Sequence, residues 1–189
     1  MTILSNLTSL PYMIDGDIRL TQSNAILRYI ARKHSPTLLG KDERQMAVVD
    51  LVIEEAMDFN KRFVPMCYNK NFEKLLPEFL EKLPYFLART DTFLKEKNWF
   101  AGDIITICDF LMWHQLEQLT LLEPKCLDDY QRLKDFLERF ENLSELKDFI
   151  NSDEFLHWPI NNKVCLIRIP HQRSMACVII QNIDPTLCS

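Results

Sequence analysis

The sequence predicts a short α/β segment of two strands and one helix, followed by an all-helical domain. Three observations indicate this order. Two strand-like stretches near the N-terminus flank an Asp-Gly turn. From Lys41 onward, apolar residues recur at three- and four-residue spacing, as on the buried face of a helix. A helix-capping pattern near residue 106 then marks the start of a further helix.

The α/β segment is a predicted hairpin and helix within residues 10–34. We place the turn at Asp15-Gly16, and the first turn of the helix then carries Thr21, Gln22 and Ser23. The N–H groups at such a helix start, together with its positive dipole end, favour a carboxylate or phosphate. Because two strands and one helix cannot bury a core alone, we interpret the segment as the second half of an α/β domain.

A domain boundary is predicted between Pro36 and Gly40, where the helical pattern stops. The partial α/β domain therefore covers 1–36, and the all-helical domain covers 41–158. The remaining residues, 159–189, have neither helical nor alternating periodicity. We expect this tail to be poorly ordered.

The helical domain opens with a predicted antiparallel pair of helices over 41–68 and 71–97. Thr106 as the N-cap and Asp109 three residues later form a capping box, so the next helix begins there. The same apolar spacing predicts two final helices over 128–140 and 144–150.

Composition and charge exclude several classes of protein. The 189 residues are 47% hydrophobic, which is enough for one good core or two modest domains. Lys and Arg total 22 against 27 Asp and Glu, and the absence of a long basic block argues against nucleic-acid binding. Without a signal-like start or a membrane-spanning apolar run, we expect a cytoplasmic protein with no membrane partner. The six cysteines lack zinc-ligand spacing, so no metal site is predicted.

Four stretches of the chain closely resemble the mu-class glutathione S-transferases: LPYMIDGDIRLTQSNAILRYIARKH, AMDFNKRFVPMCYNKNFEKL, WFAGDIITICDFL and EPKCLDDYQRLKDFLERFE. The resemblance runs from about Leu10 to Lys163. It implies a thioredoxin-like remnant followed by the all-α C-terminal domain of that family, assembled as a homodimer. It also implies a detoxifying enzyme that joins glutathione, as cosubstrate, to small hydrophobic electrophiles without a cofactor.

The resemblance assigns glutathione-binding roles to five residues. Leu10-Pro11 takes the place of the family's cis-proline turn, and Gln22 and Ser23 match the residues that hold the γ-glutamyl group. Asp58 matches an acidic residue that reaches across the dimer to the glutamyl ammonium. Without the resemblance, a trans proline, a plain polar helix start and a solvated aspartate are the commoner interpretations.

Other positions match the electrophile pocket and the dimer contacts of the family. Tyr68 matches a tyrosine whose phenol can assist leaving groups or epoxide oxygens, although a tyrosine near a helix end more often serves packing. Arg28, Arg32 and Asp50 match dimer contacts, and an ordinary charged helix face is an equal alternative. Leu7 stands where the family has a phenylalanine dimer key, so we expect a weaker dimer.

Thiol activation is the step for which the resemblance provides no catalytic residue. The family ionises glutathione with a tyrosine in a Y-W-x-I-R-G type motif, and these 189 residues contain no such motif. Because only the thiolate is the nucleophile, we expect weak or absent conjugation. One alternative is a non-catalytic isoform that binds apolar ligands or pairs with full-length mu-class subunits. Another is a chain that folds unstably, since half a sheet leaves strand edges exposed.

Overall fold

The computed structural model describes residues 10–155. It begins with a two-stranded antiparallel sheet of β1 (Tyr12–Asp15) and β2 (Ile18–Thr21), followed by α1 (Ser23–His34) and a short 3₁₀ helix (Pro36–Leu39). Further helices follow, named here α2 (Glu43–Cys67), α3 (Phe72–Leu94), α4 (Ile107–Leu122), α5 (Gln131–Glu141) and α6 (Ser144–Ile150). The predicted fold class, two strands and a helix followed by an all-helical domain, is confirmed.

The hairpin turn lies one residue later than the sequence predicted. Asp15 pairs with Ile18, so the two loop residues are Gly16 and Asp17 and the prediction of Asp15-Gly16 is wrong. Gly16 has a φ of 54°, a conformation that glycine adopts without the steric cost of a Cβ atom. A turn with Gly at its first loop position suits the twist of a two-residue hairpin.

A polar cluster attaches the hairpin to α1. The Asp15 carboxylate accepts hydrogen bonds from Tyr29 Oη at 2.6 Å and from Lys33 Nζ at 2.5 Å. Lys33, and then Tyr29, lower the pKa of Asp15 by hydrogen bonding to its charged form. The end of β1 is therefore held to α1 by a carboxylate that stays ionised at neutral pH.

The predicted pairing of the first two long helices is correct. Phe59 of α2 contacts Phe86 of α3 at a ring-centroid distance of 4.4 Å, and Phe63 contacts Phe79 at 5.6 Å. Contacts that run forward along α2 and backward along α3 define an antiparallel pair. Both helices end earlier than predicted, at Cys67 and Leu94.

Proline does not interrupt either helix. Pro65 lies two residues before the end of α2, and α3 continues past both Pro77 and Pro84. Each proline removes one backbone hydrogen bond. The apolar face that α3 buries against its neighbours, including Leu83 and Leu87, offsets this loss.

The helix α4 lies at the centre of the helical domain. It contacts α1, α2 and α5, and its buried residues include Trp113, Leu116 and Leu119. A hydrogen bond also joins α4 to α2, because Gln115 Nε2 donates to the Ala56 carbonyl at 2.5 Å. None of the helices in the described range is long and apolar enough to cross a membrane.

The predicted capping box at the start of α4 is confirmed. Asp109 Oδ2 accepts from the Thr106 N–H at 2.8 Å, and Oδ1 accepts from the Phe100 N–H at 2.8 Å. Burial raises the pKa of Asp109 to about 6, even though these donors favour its charged form. The carboxylate thus joins the helix start to the loop before it.

The raised pKa of Asp109 predicts a specific pH dependence of stability. The folded protein binds this proton more tightly than the unfolded chain, so stability present at low pH is lost as the pH rises through about 6. Relative to Asp109→Asn, the wild type should lose about 3 kcal/mol of unfolding free energy between about pH 4 and pH 7. Urea unfolding of both proteins across this range measures the difference.

The matched control is Asp103→Asn, which changes an exposed aspartate in the same loop. Its unfolding free energy should follow that of the wild type at every pH. If the wild type instead gained stability relative to Asp109→Asn as the pH rises, the hydrogen bonds would outweigh burial and the prediction would be wrong.

Candidate functional site

The candidate site is the junction between the hairpin and α1. The Leu10-Pro11 peptide bond is cis, as the resemblance implies, and Leu10 is 84% exposed beside it. Thr21 ends β2 and Gln22 is the N-cap of α1, so only Ser23 of the three predicted residues belongs to the first helical turn. The prediction that Thr21 and Gln22 lie in that turn is wrong.

Gln22 adopts a backbone conformation that is rare for a residue with a side chain. Its φ is 71° and its ψ is 111°, and its side chain makes no capping hydrogen bond within the described residues. Such positive φ values cost about 1–3 kcal/mol and concentrate at binding sites. The Gln22 side chain is exposed to solvent.

The backbone around Gln22 presents N–H groups at the start of α1. The first intrahelical hydrogen bonds are those from the Ala25 and Ile26 N–H groups to the Gln22 carbonyl. The N–H groups of Ser23 and Asn24 precede these bonds, as at any helix N-terminus. Together with the helix dipole they form a surface suited to a carboxylate.

The predicted dimer residues lie along the lengths of α1 and α2. Arg28 donates to Asp50 at 2.9 Å and joins α1 to α2 within one chain, while Arg32 is exposed. A groove of about 540 Å³ follows the two helices and is lined by charged residues of both signs, including Arg28, Arg32, Glu54 and Lys61. Leu7, the predicted dimer plug, lies outside the described residues.

Asp58 and Tyr68 lie on α2, away from the start of α1. Asp58 accepts from Lys61 at 2.6 Å, and this contact with the ammonium lowers its pKa. Asp58 lines the groove between α2 and α3, whereas Gln22 lines the groove between α1 and α2. Tyr68 follows the last residue of α2, about 15 Å along the helix from Asp58, and is 61% exposed.

Sequence reasoning missed a cavity of about 520 Å³ between α1, α2 and α4. Lys61, Trp113 and His114 all line it, and burial lowers the pKa of His114 to about 4. The pair Trp113-His114 within an apolar helix was the available signal, but its neighbours come from distant parts of the chain. Among residues 10–155, no group of three or more side chains could hold a metal ion.

Comparison with protein families places both parts of the chain in one family. Residues 3–32 match the model described as the N-terminal domain of glutathione S-transferase, and residues 57–153 match the model described as its C-terminal domain.

Individual relatives extend this similarity across most of the chain. Glutathione S-transferase Y1 of Cricetulus longicaudatus is 47% identical over 156 residues, covering 82% of this chain and 71% of that protein. Glutathione S-transferase Mu 5 of Mus musculus is also 47% identical, covering 82% of this chain and 69% of that protein. For Glutathione S-transferase Mu 3 of Homo sapiens the identity is 44%, covering 82% and 68%.

Solved structures show the same similarity in three dimensions. The crystal structure of the glutathione S-transferase Blo t 8 superposes with a TM-score of 0.76 at 27% identity, covering 87% of this chain and 77% of that one. A pi-class glutathione S-transferase of Onchocerca volvulus superposes with a TM-score of 0.68 at 30% identity, covering 74% and 68%.

The strained backbone of Gln22 can be tested by substitution. Gln22→Gly removes the Cβ atom that disfavours a φ of 71°, so we expect the free energy of unfolding to rise by about 1 kcal/mol. Gln22→Ala is the matched control, because it shortens the side chain but keeps the strain. Thermal and urea unfolding of both variants measure the effect. Equal stabilities for the glycine and alanine variants would contradict the strain.

Proposed function

This chain belongs to the glutathione S-transferase family, and from that premise we propose that it is a mu-class subunit that binds glutathione at the start of α1. The geometry that supports this proposal is the Gln22-Ser23 junction, where N–H groups of the helix start meet an exposed glutamine side chain. The γ-glutamyl carboxylate of glutathione suits this positive helix end. The cis Leu10-Pro11 bond is the proposed position of the cysteinyl part.

The proposed reaction is attack of the glutathione thiolate on a small hydrophobic electrophile in the cytoplasm. A sulfur–carbon bond forms, the leaving group departs with its electron pair, and the thiol proton passes to solvent. We assign Tyr68 to the electrophile, since its exposed phenol can donate a hydrogen bond to a departing group. Residues 1–189 hold no counterpart of the family's thiol-ionising motif, so we propose that this chain alone conjugates slowly.

Glutathione binding tests the proposed site directly. We expect isothermal titration of the 189-residue chain to detect glutathione, and Ser23→Ala to weaken binding about tenfold by removing a hydrogen bond to a charged group. Thr37→Ala, which changes an exposed hydroxyl in the 3₁₀ helix, is the control and should bind as the wild type does. No binding, or equal binding by Ser23→Ala, would contradict the site.

The same preparations test catalysis with glutathione and 1-chloro-2,4-dinitrobenzene. Thioether formation should stay close to the uncatalysed rate at neutral pH and rise as the pH approaches the thiol pKa of free glutathione. Turnover at an ordinary enzymatic rate, on the order of 10 per second, would show that the chain ionises the thiol by another group.

We also propose that the outward face of α2 and α3 pairs with a second mu-class subunit, either a copy of this chain or a full-length relative. This face carries a groove of about 740 Å³ and several exposed apolar side chains, including Leu51 at 51% and Tyr85 at 72% exposure. Apolar surface of this kind marks an interaction site. In such a dimer we propose that Asp58, which lines the adjoining groove between α2 and α3, exchanges its contact with Lys61 for glutathione on the neighbour.

A charge placed on this face should prevent pairing. Leu51→Glu introduces an unpaired carboxylate into the proposed interface, so we expect a dimer in the wild type and a monomer in the variant. Analytical ultracentrifugation over a range of concentrations measures both. Ile104→Glu is the control, since Ile104 is 37% exposed and lies in the loop before α4. A wild-type monomer at all concentrations would rule out the proposed homodimer.

A further inference from the structure

The β1 strand of the hairpin has one edge with no strand partner among residues 10–155. Within that range the sheet contains only β1 and β2, and α1 bonds to the face that carries Asp15. Side chains alternate between the two faces of a strand, so Tyr12 and Ile14 lie on the opposite face, where they are 61% and 55% exposed. A further strand on this edge would extend the sheet and cover part of both side chains.

The hairpin register determines which backbone groups of β1 point to this edge. Asp15 pairs with Ile18 across a two-residue loop, and the residues that flank such a loop bond each other. Bonded and non-bonded pairs alternate along an antiparallel ladder, so Met13 also bonds β2, whereas Tyr12 and Ile14 direct their N–H and C=O groups away from it. The open edge of β1 therefore offers two donors and two acceptors.

The outer edge of β2 is less suited to pairing, because it carries Arg19. Arg19 Nη1 donates to the carbonyl groups of Gly16 at 2.5 Å and of Ile18 at 3.1 Å. Charged side chains on an edge strand discourage pairing with another strand. The one charged residue of β1, Asp15, is bonded to α1 instead. A further strand would therefore join β1.

A strand-forming run follows later in the chain, outside the described residues. Residues 177–180 are Cys-Val-Ile-Ile, and Gln181 and Asn182 follow them. Apolar and β-branched residues without proline, glycine or charge favour a strand, and the polar residues after them mark its end. This run is the candidate for the additional strand.

The length of the chain allows this run to reach β1. Residues 156–176 can span up to about 70 Å when extended, since each residue adds at most about 3.5 Å. A globular unit of the size of residues 10–155 has a diameter of about 40 Å. The other apolar run of the tail, 164–169, contains Arg168 and begins after only about 30 Å of extended chain. The later run is therefore the better match for the edge.

We propose that residues 177–180 pair with the open edge of β1 and extend the hairpin to a three-stranded sheet. The backbone of the run bonds the N–H and C=O groups of Tyr12 and Ile14, and its β-branched side chains pack beside theirs. The rest of the tail is the connection. The inference goes beyond the proposed transferase function, because it concerns how the α/β segment is extended within one chain and requires no ligand.

Amide hydrogen exchange of the full chain, followed residue by residue by NMR, tests the pairing. We expect Ile179→Pro, which removes a donor and breaks the run, to speed exchange of the Tyr12 and Ile14 amides at least about tenfold. The matched control is Ile167→Pro in the other apolar run, which should leave both amides as in the wild type. Equal exchange in Ile179→Pro and the wild type would overturn the proposal, as would faster exchange in Ile167→Pro.

A second pair of variants tests the edge of β1 itself. Because the Ile14 N–H points away from β2, Ile14→Pro keeps the hairpin ladder but removes a donor from the open edge. It should speed amide exchange within residues 178–180 at least about tenfold. Arg19→Pro makes the same change on the β2 edge and should have no such effect. Unchanged exchange within 178–180 in Ile14→Pro would contradict the pairing. If Ile14→Pro unfolds the hairpin, the Ile179→Pro and Ile167→Pro variants still decide the question.

Dilution distinguishes the chain's own run from a strand that a second copy supplies. Pairing within one chain does not depend on protein concentration, so the slow exchange of Tyr12 and Ile14 should persist on dilution. Loss of that protection on dilution would assign the edge to a second copy and overturn the proposal.

Discussion

The buried carboxylate of Asp109 fixes the start of α4, and α1, α2 and α5 pack against that helix. Its two oxygens bind the backbone of Phe100 and Thr106, so the loop and the first turn of the helix share one acceptor. A helix with buried residues on every side has no polar face to set its position. Its start must therefore be specified by hydrogen bonds. The helices α1, α2 and α5 all contact α4, so their positions depend on where α4 begins.

The glutathione-binding junction that we propose depends on this arrangement through α1. That helix is held on three sides, by the Asp15 cluster of the hairpin, by the Arg28–Asp50 ion pair to α2 and by contact with α4. A helix start fixed in this way can tolerate the strained backbone of Gln22, because the surrounding contacts maintain it. Binding groups carried on a rigid element are also placed more accurately than those on a loop.

One short stretch of α2 contributes to two different surfaces of this protein. Asp58 faces the groove next to α3, and Lys61, three residues later, lines the cavity next to α1 and α4. Their ion pair spans the ridge between the two. A substitution that changes the charge of either residue therefore alters the electrostatic potential of both surfaces, since opposite charges at this spacing interact directly.

The sequence alone determined the local features of this protein. The capping box and the position of α6 follow from residue types within one or two turns, and both were predicted correctly. The antiparallel pairing of α2 and α3 was also predicted correctly, from the apolar faces of the two helices. Tertiary structure decided the rest. Gln22 became a strained N-cap because β2 continues to Thr21, and the cavity exists because α1, α2 and α4 leave a space that no single segment encodes. Capping and periodicity act between near neighbours in the chain, whereas backbone strain and cavities arise from contacts between distant ones.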